Sequence, residues 1–163
     1  MSLGPSRCGD RAVVNHQGAR FVLDDGGRAA AGFKGKTGDC VTRAIAIAGK
    51  LPYEDVYDRL NVLAKSERRA KRRSSSRTGV MRPTYEKLLL RELGATWTSC
   101  MAIGSGCTVH LRREELPMGR LVVQVSKHLV AVIDGVIHDT HDPSRGGTRC
   151  VYGYYTFPAE PAR

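Results

Sequence analysis

The spacing of apolar positions along this chain changes near residue 120, and the change divides it into a helical part and a sheet part. Upstream, Val41, Ala44, Ile45 and Ala48 fall at i, i+3, i+4 and i+7, one face of a helix that begins near Cys40 and stops at Gly49. Apart from Thr42 and Arg43 that segment is almost wholly apolar, which predicts a buried helix. A second helix opens at Pro52, a residue suited to the first helical position, and carries Tyr53, Val56, Tyr57, Leu60, Leu63 and Ala64 on one side. A third runs from about Pro83 to Leu93, with Tyr85, Leu88, Leu89 and Leu93 inward and Gly94 as the stop.

Downstream the period is two. Leu121–Val125 reads as a strand, Ser126-Lys127 as a tight bend, and Leu129–Ile133 and Val136–Asp139 as strands flanking Asp134-Gly135, a strong hairpin signal. Asp142–Gly147 is a loop and Cys150–Phe157 a final strand. Two short strands near the start, Ala12–Val14 and Arg20–Leu23, form a hairpin through Asn15–Gly18, and Gly32–Asp39 is a glycine-spaced loop. Trp97, Tyr152, Tyr154 and Tyr155 read as core and strand residues. Helices first and an antiparallel sheet second make an α+β fold, expected as a single domain over residues 1–163, with an N-terminal arm and hairpin over 1–31.

Between the second and third helices, Lys65 to Gly79, the apolar pattern disappears. This predicts a mobile basic loop that buries little. Lys65, Arg68, Arg69, Lys71, Arg72, Arg73 and Arg77 could grip phosphates, but no aromatic side chain among them could stack on a base. The whole chain has 26 basic against 16 acidic residues, a net charge of +10, so nucleic acid or an acidic protein is a natural partner. No apolar run approaches a membrane span, and Met1–Asp10, with Gly4, Pro5 and Gly9, reads as a loose arm rather than a secretion signal. A cytoplasmic protein with no membrane partner is expected. Its five cysteines then sit in reducing surroundings, where a disulfide scaffold is not expected.

Cys40 stands where the glycine loop meets the first helix. Unpaired N–H groups at a helix N-terminus favour a thiolate and can also hold an oxyanion. His128 stands at the bend that starts a strand. With a two-residue turn at Asp134-Gly135, Val130 faces Asp139 and His128 faces His141, so Asp139 shares a face with His128 while His138 points away. A carboxylate there can hold the imidazole in one tautomer, and Asp142 in the following loop is the rival for that role.

Gly38-Asp39-Cys40 entering an Ala/Ile-rich helix, followed by the His128–Asp139 hairpin, resembles the papain-like cysteine peptidase superfamily, in particular its bacterial C39-like and NlpC/P60-like branches. The resemblance implies thiol attack on a peptide, isopeptide or glutamine amide, with Cys40 as nucleophile, His128 as general base and Asp139 as orienter. It implies a protein or peptide substrate and no cofactor. Such enzymes carry a glutamine or similar oxyanion donor shortly before the cysteine. Here the sixth residue upstream is Lys34, leaving Thr37, or Gln17 and Asn15 from the first hairpin, to join the Cys40 backbone.

Two rivals stand beside this reading. Cys107, His110, His138 and His141 include zinc-ligand types, but His138 and His141 on one strand face opposite ways, and no metal site is expected. A non-enzymatic nucleic-acid-binding protein on a papain-like shell is the alternative of a different class.

Overall fold

The computed structural model describes residues 13–16, 19–68 and 72–160. The arm Met1–Asp10, Gln17, Arg69 and Lys71 lie outside the described residues. Three helices stand in chain order, α1 (Cys40–Gly49), α2 (Tyr53–Ala64) and α3 (Arg82–Glu86), the last continuing as a π-helical turn over Lys87–Glu92. Seven strands, β1 (Val13–His16), β2 (Ala19–Leu23), β3 (Thr96–Ser99), β4 (Arg120–Val125), β5 (His128–Ile133), β6 (Val136–Asp139) and β7 (Gly153–Thr156), form one sheet in the order β1-β2-β6-β5-β4-β7-β3. The fold is α+β.

Alternation along the central strands loads both faces of the sheet. Val122, Leu129, Ala131 and Tyr155 pack with Ile45, Val56, Leu60, Leu88 and Leu89 of the helical layer. On the other face Leu121, Val123, Val130, Val132 and Ile137 pack with Leu111, Leu116 and Val151 from the irregular segments. The α1 face expected from its spacing is buried, and Ile45 and Ala48 have no exposed surface. Arg120 of β4 donates to the Ala48 carbonyl at 3.0 Å, tying the end of α1 to the sheet. The helix ends at Gly49 as expected, but Gly49 is not the residue that takes the left-handed conformation. Lys50 takes the left-handed cap at φ 53°, and Gly49 serves packing, since a Cβ there would meet Leu51 and Phe157 at 3.3 and 3.4 Å.

The β5–β6 hairpin has the expected register, Ile133 opposite Val136, Val132 opposite Ile137 and Ala131 opposite His138. Asp134 and Gly135 carry it at φ 49° and 77°, the two positive values that a tight turn matching strand twist requires. Val125 sits opposite His128 across β4 and β5.

The sheet departs from expectation in being mixed. β2 joins β6 in parallel, with Phe21 opposite Ile137 and Leu23 opposite Asp139. Without it the hairpin would leave a buried strand with an unpaired edge, so a strand from far upstream fills that edge. β3 was not foreseen: its residues are mostly exposed, and it is held by pairing with β7 and by Trp97 against Tyr155, ring centroids 4.6 Å apart.

The basic segment is a second correction. Residues 74–79 are anchored. The Ser76 N–H donates to Asn61 Oδ1 at 3.0 Å, its hydroxyl to the Tyr57 carbonyl at 2.5 Å, and Thr42 of α1 donates to the Ser76 carbonyl at 2.9 Å. Ser74 and Ser76 are buried, and the serines between the cations are what the apolar pattern could not register. The Cys107–Cys150 disulfide is a third. It forms because the Val109 carbonyl accepts from the Val151 N–H at 2.8 Å and His110 bridges Cys150, laying the two segments side by side. No disulfide was expected among the five cysteines. Cys40 and Cys100 are free. No helix among the described residues is long and apolar enough to cross a membrane.

Replacing Asn61 by alanine leaves the buried Ser76 N–H without a partner and should cost about 1–3 kcal/mol. Urea unfolding reads this as a lower midpoint at unchanged slope; an unaltered midpoint would mean that the segment is not anchored through Ser76.

Candidate active site

Cys40 is the first residue of α1, preceded by the cap residue Asp39. A helix leaves the N–H groups of its first turn without intrahelical acceptors, and Cys40 stands at that end of α1. The preceding loop reaches this position through Gly38, whose N–H donates to the Arg77 carbonyl at 2.8 Å. A Cβ on Gly38 would lie 3.1 Å from the Thr78 carbonyl oxygen, so a side chain would push the loop away from residues 77–78.

His128 opens β5 and Asp139 closes β6, both at the end of the sheet where α1 begins. The register places Asp139 on the face of His128, and the side chains meet: His128 Nε2 lies 2.6 Å from Asp139 Oδ2. A carboxylate only accepts, so the proton of this bond is on Nε2 and Nδ1 is left to face the thiol. Asp142 does not compete, because its Oδ1 accepts from the Ser144 N–H at 2.9 Å. His138 turns the other way, its Nδ1 3.1 Å from Asp24 Oδ2.

Burial alone would keep the Cys40 thiol protonated. The hydrogen bond from His128, the Leu129 N–H, and the charges of His128 and Arg43 outweigh it and hold the thiol below its ordinary pKa. Burial likewise disfavours the His128 cation, but hydrogen bonds and charge from Asp139 and Cys40 carry its pKa up to about 9. Asp139, opposed by its own burial, is kept below its ordinary value by His128, the Thr140 N–H and Arg43. All three shifts favour the charged forms, thiolate, imidazolium and carboxylate.

Sequence reading missed what supports this row. Arg43, only 7% exposed, lies between two buried carboxylates. Its Nη2 donates to Asp139 Oδ1 at 3.2 Å, and its Nη1 donates to Asp39 Oδ1 one turn back on α1. Asp39 Oδ2 also accepts from the Tyr53 hydroxyl at 2.6 Å, linking α2 to the row. The signal was present: a lone Asp/Arg pair four residues apart on an otherwise apolar helix must be buried together, or the helix could not be.

The proposed oxyanion donors fare unevenly. The Thr37 hydroxyl is not free, since it donates to the Arg77 carbonyl at 2.7 Å, and Gln17 lies outside the described residues. The first-turn N–H groups of α1 remain. Among the basic residues, Arg77 is spent within the fold, donating to the Lys34 carbonyl at 2.8 Å, while Arg68, Arg72 and Arg73 are exposed.

The cysteine and histidine set weighed for zinc is dispersed, with Cys107 in the disulfide, His110 beside Glu115 at 3.1 Å and His138 at Asp24. A different trio could hold a cation: ligand atoms of His128, Asp139 and His141 lie within 4.8 Å of one another. Asp139 already serves His128 and Arg43, so an ion there would have to displace an existing bond.

Cys40, His128 and His141 line one cleft of about 750 Å³. Its walls include Asp25 and Arg28 on the β2 side and Arg82, Gln124 and Lys127 on the β4 side. Comparison with protein-family models, curated proteins and solved structures finds no match.

Replacing Arg43 by methionine takes one of two cations from each buried carboxylate, leaving Asp39 with Arg28 Nε at 3.6 Å and Asp139 with His128 at 2.6 Å. It should cost about 1–3 kcal/mol in urea or thermal unfolding, and an unchanged stability would exclude the bridging role.

The pH dependence follows from the raised His128 value. A group whose folded pKa lies above its ordinary 6.5 stabilises fully below pH 6.5 and loses that contribution as pH rises through about 9. The thiol opposes this, because its lowered pKa adds stability as pH rises towards 9.0. In Cys40→Ser the opposing titration is absent, so stability should fall above pH 6.5, and the additional change His128→Asn should remove that fall. A flat profile in Cys40→Ser would contradict the His128–Asp139 ion pair.

Proposed function

We propose that this protein is a cysteine hydrolase of papain-like type that cleaves a peptide, isopeptide or glutamine side-chain amide. The observation that carries the reading is the contact of three groups in the order the reaction needs: a helix-terminal thiol, an imidazole hydrogen-bonded to it, and a carboxylate 2.6 Å from the far imidazole nitrogen.

In this mechanism the Cys40 thiolate attacks the amide carbonyl carbon, forming the C–S bond and moving the π electrons onto oxygen. First-turn N–H groups of α1 hold the oxyanion. As the C–N bond breaks, His128 Nδ1–H gives its proton to the leaving nitrogen, and a thioester remains on Cys40. Water, losing a proton to His128, attacks the thioester and releases the acid and the thiolate. Asp139 stays ionised throughout and keeps the ring oriented, with Arg43 holding its second oxygen. The row needs no cofactor.

A second surface is compatible with this reading. Arg68, Arg72 and Arg73 are exposed and make no ion pair with a described residue, so they could hold an acidic protein or nucleic acid. Binding of duplex nucleic acid without reactivity at Cys40 would favour the non-enzymatic alternative.

The experiment compares two cysteines in one molecule. Cys100 is free and its burial pushes its thiol up, so at about pH 6 it is protonated. Iodoacetamide should alkylate Cys40 at least about tenfold faster than Cys100, and His128→Ala should abolish the difference. Cys40→Ser should remove hydrolysis of peptide amides and capture by a peptide aldehyde. Equal alkylation of the two cysteines would refute the proposal.

A further inference from the structure

Arg82 is fixed in the cleft wall more firmly than an exposed arginine needs to be. Its Nε donates to Glu86 Oε1 at 2.8 Å, its Nη1 to Gln124 Oε1 at 3.3 Å, and its guanidinium lies 4.5 Å from the centroid of Trp97. Glu86 is itself held, since the same oxygen accepts from the Tyr155 hydroxyl at 2.6 Å. The Arg82 side chain is still 44% exposed, and Nη2 has no partner among the described residues. A guanidinium that is stacked, pinned on one side and open on the other is prepared to meet an anion.

Two further residues of this cleft wall, Gln124 and Lys127, also offer donors. Gln124 turns its carbonyl to Arg82, which leaves its amide N–H groups without a partner among the described residues. Lys127, held at φ 57° in the β4–β5 turn beside His128, is exposed and makes no ion pair with a described residue. All three line the cleft with Cys40. Tyr85, in the same helix as Arg82, lines the cleft with Cys40 as well. Of the two acids lining the cleft, Asp25 lies on the β2 side, its carboxylate accepting the Gly27 and Ala29 N–H groups at 2.9 Å, and Asp39 is buried against Arg43, Arg28 and Tyr53.

We propose that Arg82, with Gln124 and Lys127, binds a carboxylate of the substrate beside the scissile amide, making this an enzyme for acidic peptides. The proposal rests on the cysteine hydrolase reading and adds the substrate class. The carboxylate is either an Asp or Glu side chain or a chain terminus.

The test uses two alkylating reagents that react alike: the Cys40 thiolate forms a C–S bond to the methylene carbon of each, and iodide leaves into solvent. Iodoacetate carries the carboxylate and iodoacetamide does not, so their rate ratio cancels any change in the thiol. Arg82→Gln should lower the iodoacetate-to-iodoacetamide ratio about fivefold, the worth of one charge a few ångströms away in a wet cleft. Lys127→Gln, in an exposed turn, should lower it in the same direction and carries the test if Arg82→Gln does not fold. The effect should shrink with added salt. Protection of Cys40 by two neutralised alanine peptides, one with a single glutamate and an amidated end, one with a free terminal carboxylate, identifies the source. An unchanged ratio with Cys40 still selectively alkylated, or no better protection than by an uncharged peptide, overturns the carboxylate proposal alone. Loss of selective alkylation in the unaltered protein overturns the hydrolase reading and this inference together.

Discussion

Asp139 sits between two cations, and the rest of the structure is arranged around that fact. One oxygen meets His128 and the other meets Arg43, with all three groups largely removed from water. A buried carboxylate is costly unless its partners are in place, so Arg43 has to come from the helix and His128 from the neighbouring strand. Meeting both conditions sets α1 against the β5–β6 hairpin. The charge row therefore acts as a locator: when it is satisfied, the first residue of α1 is brought against the imidazole.

The parts of this arrangement legible in the sequence were those governed by local rules. The Asp134-Gly135 turn has few conformational choices, and once it is placed, period-two alternation carries Asp139 to the face of His128. The start of α1 at Cys40 follows in the same way from a glycine loop meeting an apolar helix. What stayed hidden was non-local. The parallel docking of β2 on β6, the Cys107–Cys150 bond and the partner of Arg43 each join residues far apart in the chain. Composition misled for residues 74–79, because serines that satisfy backbone and side-chain groups of α1 and α2 look, in sequence, like the polar filling of a mobile loop.

The site also shows how one sheet end serves several purposes. β6 supplies the carboxylate, buried behind the imidazole of β5, while His128 and the donor Gln124 of β4 line the cleft itself. The helical layer contributes from above, α1 through Cys40 and Arg43, and α3 through Arg82. Rigid elements rather than loops carry most of these groups, which favours fixed geometry over adjustment on binding.

The parallel pairing of β2 with β6 has a consequence for the order in which the chain takes shape. A ribosome releases β2 and α1 early, yet the edge that β2 must join is not synthesised until the final third of the chain. Contacts of such long sequence separation close late and slowly. Until they close, Cys40 lacks its imidazole and Arg43 its second carboxylate, so a growing chain carries an ordinary thiol. The lowering of the Cys40 pKa by His128 and Arg43 is therefore a property of the completed sheet and not of the growing chain.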